Sequence, residues 1–237
     1  MSELLVERDD TTLTLTLNRP DKMNALSASL VEALLEQVAE ASASGIRLLV
    51  LKGNGRNFSA GFDFGGYEDQ SEGDLVLRFI RIEQLLQAVR YAPFDTLALA
   101  HGRNFGAGVD LICSCARRIG DPGATFRMPG LAFGLVLGTR RYAERVGVTR
   151  ARVVLGEGLV FDTNEALEDG FLTGQTPIAA WPDAIAAAAD VATRLSSEAA
   201  AALYGATVSD TRAQDLSDLV ASAARPGLKE RIRAYRA

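Results

Sequence analysis

The chain has 237 residues, with 30 acids against 25 lysines and arginines, a formal net charge of −5, two cysteines and one histidine. A length of this order buries a core that holds without staples, so one large α/β domain, with or without an appendage, is the default. The acidic balance excludes general nucleic-acid binding, which needs a basic face to displace counterions, and Cys113 and Cys115, two apart, have neither zinc nor redox spacing.

In chain order, the opening "MSELLVERDDTT" carries acids where a signal peptide needs basic residues. No stretch approaches the roughly 18 apolar residues of a membrane span, so a cytoplasmic protein without membrane contact is expected. "TLTLTL" (Thr12–Leu17) alternates and reads as a half-buried strand, and the Pro and Asn of "NRPDKMNALS" make a loop after it. Ser29 and Glu32 have capping-box spacing ahead of "LVEALLEQVAEA", which predicts a helix to about Ser44, ended by Gly45. "IRLLVLKG" is apolar almost throughout, the mark of a strand paired in parallel and covered on both faces.

Residues 73–91 have helical spacing, "TLALAHG" is a second buried strand, and "GAGVDLICSCARR" opens on glycines and continues as a helix. "ATFRMPG" reads as a short strand, "TRRYAERVG" as a helix and "FLTGQ" as strand-like. From Trp181, with Pro182 at a helix start, the chain is alanine-rich and helical, with a break at "GATVSDTRAQ". The expected organisation is an α/β core over 1–178 and a helical region over 179–237.

Familiar catalytic inventories find little support. His101 is the one histidine and ends a buried strand, where it reads as a packed residue. "GNGRNF" lacks the third glycine of a dinucleotide fingerprint and the Lys-Ser/Thr of a P-loop, and no His, Cys and carboxylate cluster has metal-ligand spacing. Two glycine-rich turns remain, "FSAGFDF" and "HGRNFGAGVDL", each after a buried strand. Small residues let backbone approach a ligand, and outward N–H groups are oxyanion donors.

With these turns in place the chain resembles the crotonase, or enoyl-CoA hydratase/isomerase, superfamily from Leu13 to near Arg236. "LNRPDKMNALS" resembles the family's first CoA-binding loop, "NFSAGFDF" its first oxyanion turn and "HGRNFGAGVDL" its second. "LAFGLVLG", "ERVG" and "NEALEDGFLTG" follow in order, and "SAARPGLKERIRAY" is similar to its closing helix. The resemblance implies an α/β spiral of repeated ββα units with a C-terminal helical region that mediates trimers or dimers of trimers. It also implies an acyl-CoA substrate whose coenzyme A is part of that substrate, with no separate cofactor and no metal. By position the oxyanion N–H groups fall on Phe62 and Ala107, flanked by Gly61 and Gly106. The adenine and pantetheine lie along Met23, Ala25, Ala60, Asp63 and Phe64. Lys22, Arg19 and Arg56 are either the cations for CoA phosphates or solvated loop charges.

The acids depart from the family pattern. The first family glutamate aligns with Asp110, which reads as a catalyst or as an acid placed by the helix dipole. The second aligns with Gly130, next to Pro129, so the usual second carboxylate is absent; the glycine loop reaching Gly138 is shorter, and Ala116 replaces an aspartate. Glu144 and Tyr142 are either substitutes for the missing acid or ordinary helix residues, and Arg140 and Arg141 either meet a substrate carboxylate or face solvent. The basic last helix either answers its own dipole or touches CoA. The expected function is an enolate reaction on an acyl-CoA, with single-acid isomerisation favoured over classical hydration; the alternative is a partner subunit that has lost its chemistry.

Overall fold

The computed structural model describes residues 2–237. β1 (Leu4–Arg8) and β2 (Thr12–Leu17) form a hairpin, and α1 (Ala28–Ala43) leads into β3 (Leu48–Gly53). α2 (Glu72–Arg90) returns to β4 (Asp95–Ala100), which is followed by β5 (Arg103–Phe105), α3 (Ala107–Ser114), β6 (Arg117–Gly120) and β7 (Thr125–Arg127). Next come α4 (Thr139–Val146), α5 (Val148–Glu157), β8 (Val160–Asp162), α6 (Thr163–Glu168) and β9 (Gly174–Gln175). Helices α7 (Trp181–Ala192), α8 (Ser197–Thr207), α9 (Arg212–Ala223) and α10 (Leu228–Arg236) complete the chain.

The larger sheet runs β1-β2-β3-β4-β6-β9, antiparallel only at β1-β2, and β5-β7-β8 form a second sheet. Parallel pairing in register puts Leu13, Leu15, Leu49, Leu51 and Ala98 on one face, toward the main core. Leu48, Val50, Leu97 and Leu99 fall on the other, under Trp181 and Ala188 of α7. Covering both faces explains why these strands read as continuous apolar runs. It also corrects the half-buried reading of β2: Thr12, Thr14 and Thr16 share the α7 face with Leu48 and Val50 and are buried too. Among the described residues no helix is long and apolar enough to cross a membrane.

Two local expectations change. The α1 cap is Ser27, whose extended backbone lets its Oγ accept from the Leu30 N–H at 3.1 Å, while Ser29 donates to Glu3 and Glu32 pairs with Arg81. A capping box does form at α2, between Ser71 and Asp74. The helix read through "CARR" stops at Ser114, because Cys115 turns extended and the chain becomes β6. There Arg118 is buried, and its guanidinium is satisfied by the Cys115, Ala116, Gly170 and Phe171 carbonyls.

A buried ion pair ties α2 to α4. Arg141 Nη1 donates to Glu83 Oε1 at 2.9 Å and to Asp215 Oδ2 of α9 at 3.1 Å, and both Arg141 and Glu83 are 1% exposed. Removing one partner strands the other charge in the core. Glu83→Ala should therefore lower unfolding free energy by about 3–5 kcal/mol in urea titrations, and Glu83→Leu combined with Arg141→Met should recover most of that loss.

Candidate active site

The site is assembled where three loops leave the C-terminal ends of parallel strands. Asn24, buried and at φ 53°, accepts from the Arg19 N–H at 2.8 Å and donates to the Asn54 and Asn57 carbonyls at 2.9 and 2.8 Å. The loop after β2 is thereby fastened to the loop after β3. Main-chain bonds continue the seam, from Ala60 N to Met23 O at 2.8 Å and from Leu26 N to Gly61 O at 2.7 Å.

The first glycine turn is in turn pressed against the start of α3. A Cβ on Gly61, at φ 77°, would lie 2.4 Å from Phe105 O and 2.9 Å from Ala107 N, and one on Gly108 would lie 2.6 Å from Ser59 O. Glycine is required at both contacts. Among the described residues, neither the Phe62 N–H nor the Ala107 N–H donates to a protein acceptor. Gly106, at φ 47°, turns the chain into α3, and its own N–H is satisfied by Arg127 O at 2.8 Å.

These turns border a cavity of about 340 Å³ with largely apolar walls, including Phe62, Phe64, Phe79, Phe133, Leu135 and Leu155. Asp110 of α3 is the one carboxylate among the described residues lining it. The residue is 3% exposed, and its Oδ1 has no hydrogen-bond partner. Gly138 lies so close that a Cβ there would fall 1.8 Å from that oxygen, so residue 138 must be glycine for the carboxyl to fit. Burial pushes the Asp110 carboxyl well above the usual carboxylate range; the nearby Arg141 pulls it down and Glu83 pushes it further up. A desolvated carboxyl without a hydrogen-bond partner on Oδ1 favours its protonated form.

The description "Enoyl-CoA hydratase/isomerase" belongs to the family model that matches residues 7–224. The chain belongs to the enoyl-CoA hydratase/isomerase family. It is 34% identical over 186 residues to a protein named as a probable enoyl-CoA hydratase of Mycobacterium leprae, covering 76% of this chain and 72% of that one. It is 31% identical over 183 residues to the 2,3-dehydroadipyl-CoA hydratase of Escherichia coli, covering 75% and 70%. Among solved structures, an enoyl-CoA hydratase/isomerase family protein from Bordetella parapertussis superposes with a TM-score of 0.98 at 54% identity, over 99% of this chain and 98% of that one. The expected crotonase-type α/β fold is therefore the fold of this chain.

Of the residues singled out from the sequence, Ala60, Phe62, Phe64, Gly106, Ala107, Asp110, Pro129 and Gly130 line the cavity. Gly61 and Gly138 support it from behind. Lys22, Met23 and Ala25 lie in the fastened loop outside it, with Lys22 and Arg56 exposed. Arg19 is committed to Glu3 and Asp63, at 2.8 Å each, and so is not a loose cation. Against the upward pull of burial, the Gly65 N–H and Arg19 hold Asp63 below the usual carboxylate range.

The substitutes for a second acid do not reach the cavity. Glu144 pairs with Arg90 at 2.8 Å, and Tyr142 is buried against Phe161 and Phe171. Arg141 is buried against Glu83 and Asp215, whereas Arg140 faces solvent, as one of the two readings expected, and pairs there with Asp215 and Asp218; neither lines the cavity. Sequence reading missed Phe79 of α2, whose ring stacks on Phe62 at 4.3 Å, and Tyr235 of α10, whose ring lies 5.3 Å from Phe133 in the cavity wall. The basic helix that carries Tyr235 was the available signal.

Gly61→Ala should cost at least about 1–3 kcal/mol in urea unfolding, from the left-handed backbone alone, and more from the clash with Phe105 O. Asp110→Asn should behave in the opposite sense. A carboxyl whose pKa is raised by folding destabilises the native state once the unfolded chain ionises, so the wild type loses stability as pH rises from about 4 toward the folded pKa. The variant should gain thermal stability over wild type at pH 8, by about 2–4 °C for each kcal/mol, and the gain should vanish near pH 4.

Proposed function

We propose that the chain converts an acyl-CoA thioester through an enolate, with Asp110 as its single acid–base group and the Phe62 and Ala107 N–H groups as the oxyanion donors. The observation that carries this reading is a lone, unpartnered carboxyl in the same apolar cavity as two main-chain N–H groups without acceptors. Ionised Asp110 takes a proton from the carbon beside the thioester carbonyl. The electron pair moves to the carbonyl oxygen, where donors already oriented stabilise it, an effect worth roughly 3 kcal/mol per donor in comparable sites. The same carboxyl then returns the proton to a carbon further along, which isomerises the double bond.

A two-acid hydration would also need a group to activate water, and position 130, which lines the cavity, is glycine. The wall is largely apolar, which suits an apolar acyl chain, and among the described residues it carries one cation, Arg127, whose Nε donates to the Gly158 carbonyl at 3.0 Å. Coenzyme A enters with the substrate, along Met23 and Ala25, and no separate cofactor is called for. The helical region 179–237 exposes Val191, Leu195 and Leu203, apolar surface suited to contacts between copies in a trimer or dimer of trimers.

Asp110→Asn should lower kcat/KM for an isomerisable enoyl-CoA by about 10²–10⁴-fold while acyl-CoA binding persists. The wild-type profile should rise with pH through a pKa above the ordinary carboxylate range, and the variant should lose that limb. Efficient hydration of crotonyl-CoA would overturn the single-acid reading. Absence of turnover across short, long and aromatic enoyl-CoAs would favour the partner-subunit alternative, which the glycine at 130 also supports.

A further inference from the structure

The acid–base cavity opens at the N-terminal end of α3; a separate cavity of about 250 Å³ lies at the other end of that helix. Its wall takes Arg90 from α2, Thr96 from β4, Ser114 from α3, Arg145 from α4 and Thr207 from α8, with Ala116 between α3 and β6. No acid lines it. Among the described residues, the only carboxylate paired with Arg90, Arg118 or Arg145 is Glu144, on Arg90 at 2.8 Å. Three guanidiniums therefore meet one carboxylate.

The three differ in how well they are satisfied. Arg118 is taken up by four carbonyls. Arg145 reaches only the Cys113 and Cys115 carbonyls, at 3.4 and 3.3 Å, and its Nε is buried without an acceptor. An unsatisfied buried donor on a charged group costs more than a neutral one. The crowding is felt electrostatically as well: burial, and then the charge of Arg145, hold Arg90 below its usual range and bring Arg118 down to about 10.

We propose that this cavity binds a small tetrahedral oxyanion, a phosphate or sulfate, between the guanidiniums of Arg90 and Arg145. Such an ion supplies the negative charge that the cluster lacks, and guanidinium forks match its oxygens. A cavity of this size admits a free ion or the head of a small metabolite and excludes a macromolecule. The site stands independently of the acyl-CoA reading, because it shares no lining residue with the cavity of Asp110.

The test is thermal unfolding of the full chain in inorganic phosphate, sulfate and glycerol phosphate at constant ionic strength, with acetate as control. Phosphate and sulfate should raise the midpoint in a saturable way. A larger response to glycerol phosphate assigns the head of a metabolite; a smaller one assigns the free ion. Two variants should each weaken apparent affinity at least tenfold. Arg145→Met removes the fork, whereas Ala116→Asp adds a carboxylate to the wall without deleting a packed atom. An equal response to acetate, no response to either tetrahedral anion, or a response that survives both variants would overturn the proposal, the last pointing to exposed cations such as Lys22 and Arg56.

Discussion

The site depends on how closely two main-chain turns can approach. Gly61 meets Phe105 O and Ala107 N at distances that no Cβ could occupy, and Gly108 meets Ser59 in the same way from the other side. That contact fixes the Phe62 and Ala107 N–H groups relative to each other without any side chain between them. The Asn24 bonds to the Asn54 and Asn57 carbonyls then hold the first loop against the same seam. Backbone positioned this way has little freedom left to lose, which is what the proposed oxyanion role would require of these donors.

Electrostatics supplies the second constraint. Asp110 sits in a region where Glu83 and Asp215 already claim Arg141. The guanidinium nearest to offsetting the Asp110 charge is thus neutralised by others, and the carboxyl bears its desolvation with only partial compensation. Because Gly138 opens α4 directly against Asp110, the helix that carries Arg141 also sets the volume available to the carboxyl. Packing and charge at this point are one arrangement.

The parallel strands were legible because burial on both faces writes continuous apolar runs, as in "IRLLVLKG". The turns were legible as a pair: a single glycine turn after a strand commonly serves packing, and it was the recurrence of strand, glycine turn and helix that marked them. Other features left weaker traces. The α1 cap moved from Ser29 to Ser27 because two serines two residues apart carry the same local signal, and Glu3, distant in sequence, engages both. β6 was absorbed into a helix because "CARR" has no strand pattern; the extended turn at Cys115 and the pairing with β4 that follows it, with Arg118 reaching the Phe171 and Gly170 carbonyls, arise only in the folded chain. The inward-facing wall was least visible of all, since Phe79 and Tyr235 reach it from elements far apart in the chain.

That last feature also makes the cavity conditional. Tyr235 is part of its wall, and α10 is held in place by Arg231, which donates to the Phe133 and Ser222 carbonyls at 3.0 and 3.3 Å, with Arg236 lying over the Phe64 and Tyr67 rings. Docking of the helix and filling of the cavity are therefore thermodynamically linked. Whatever occupies the space gains contacts with Tyr235 only while α10 is down, and so stabilises the docked helix by the same amount that the helix tightens its hold.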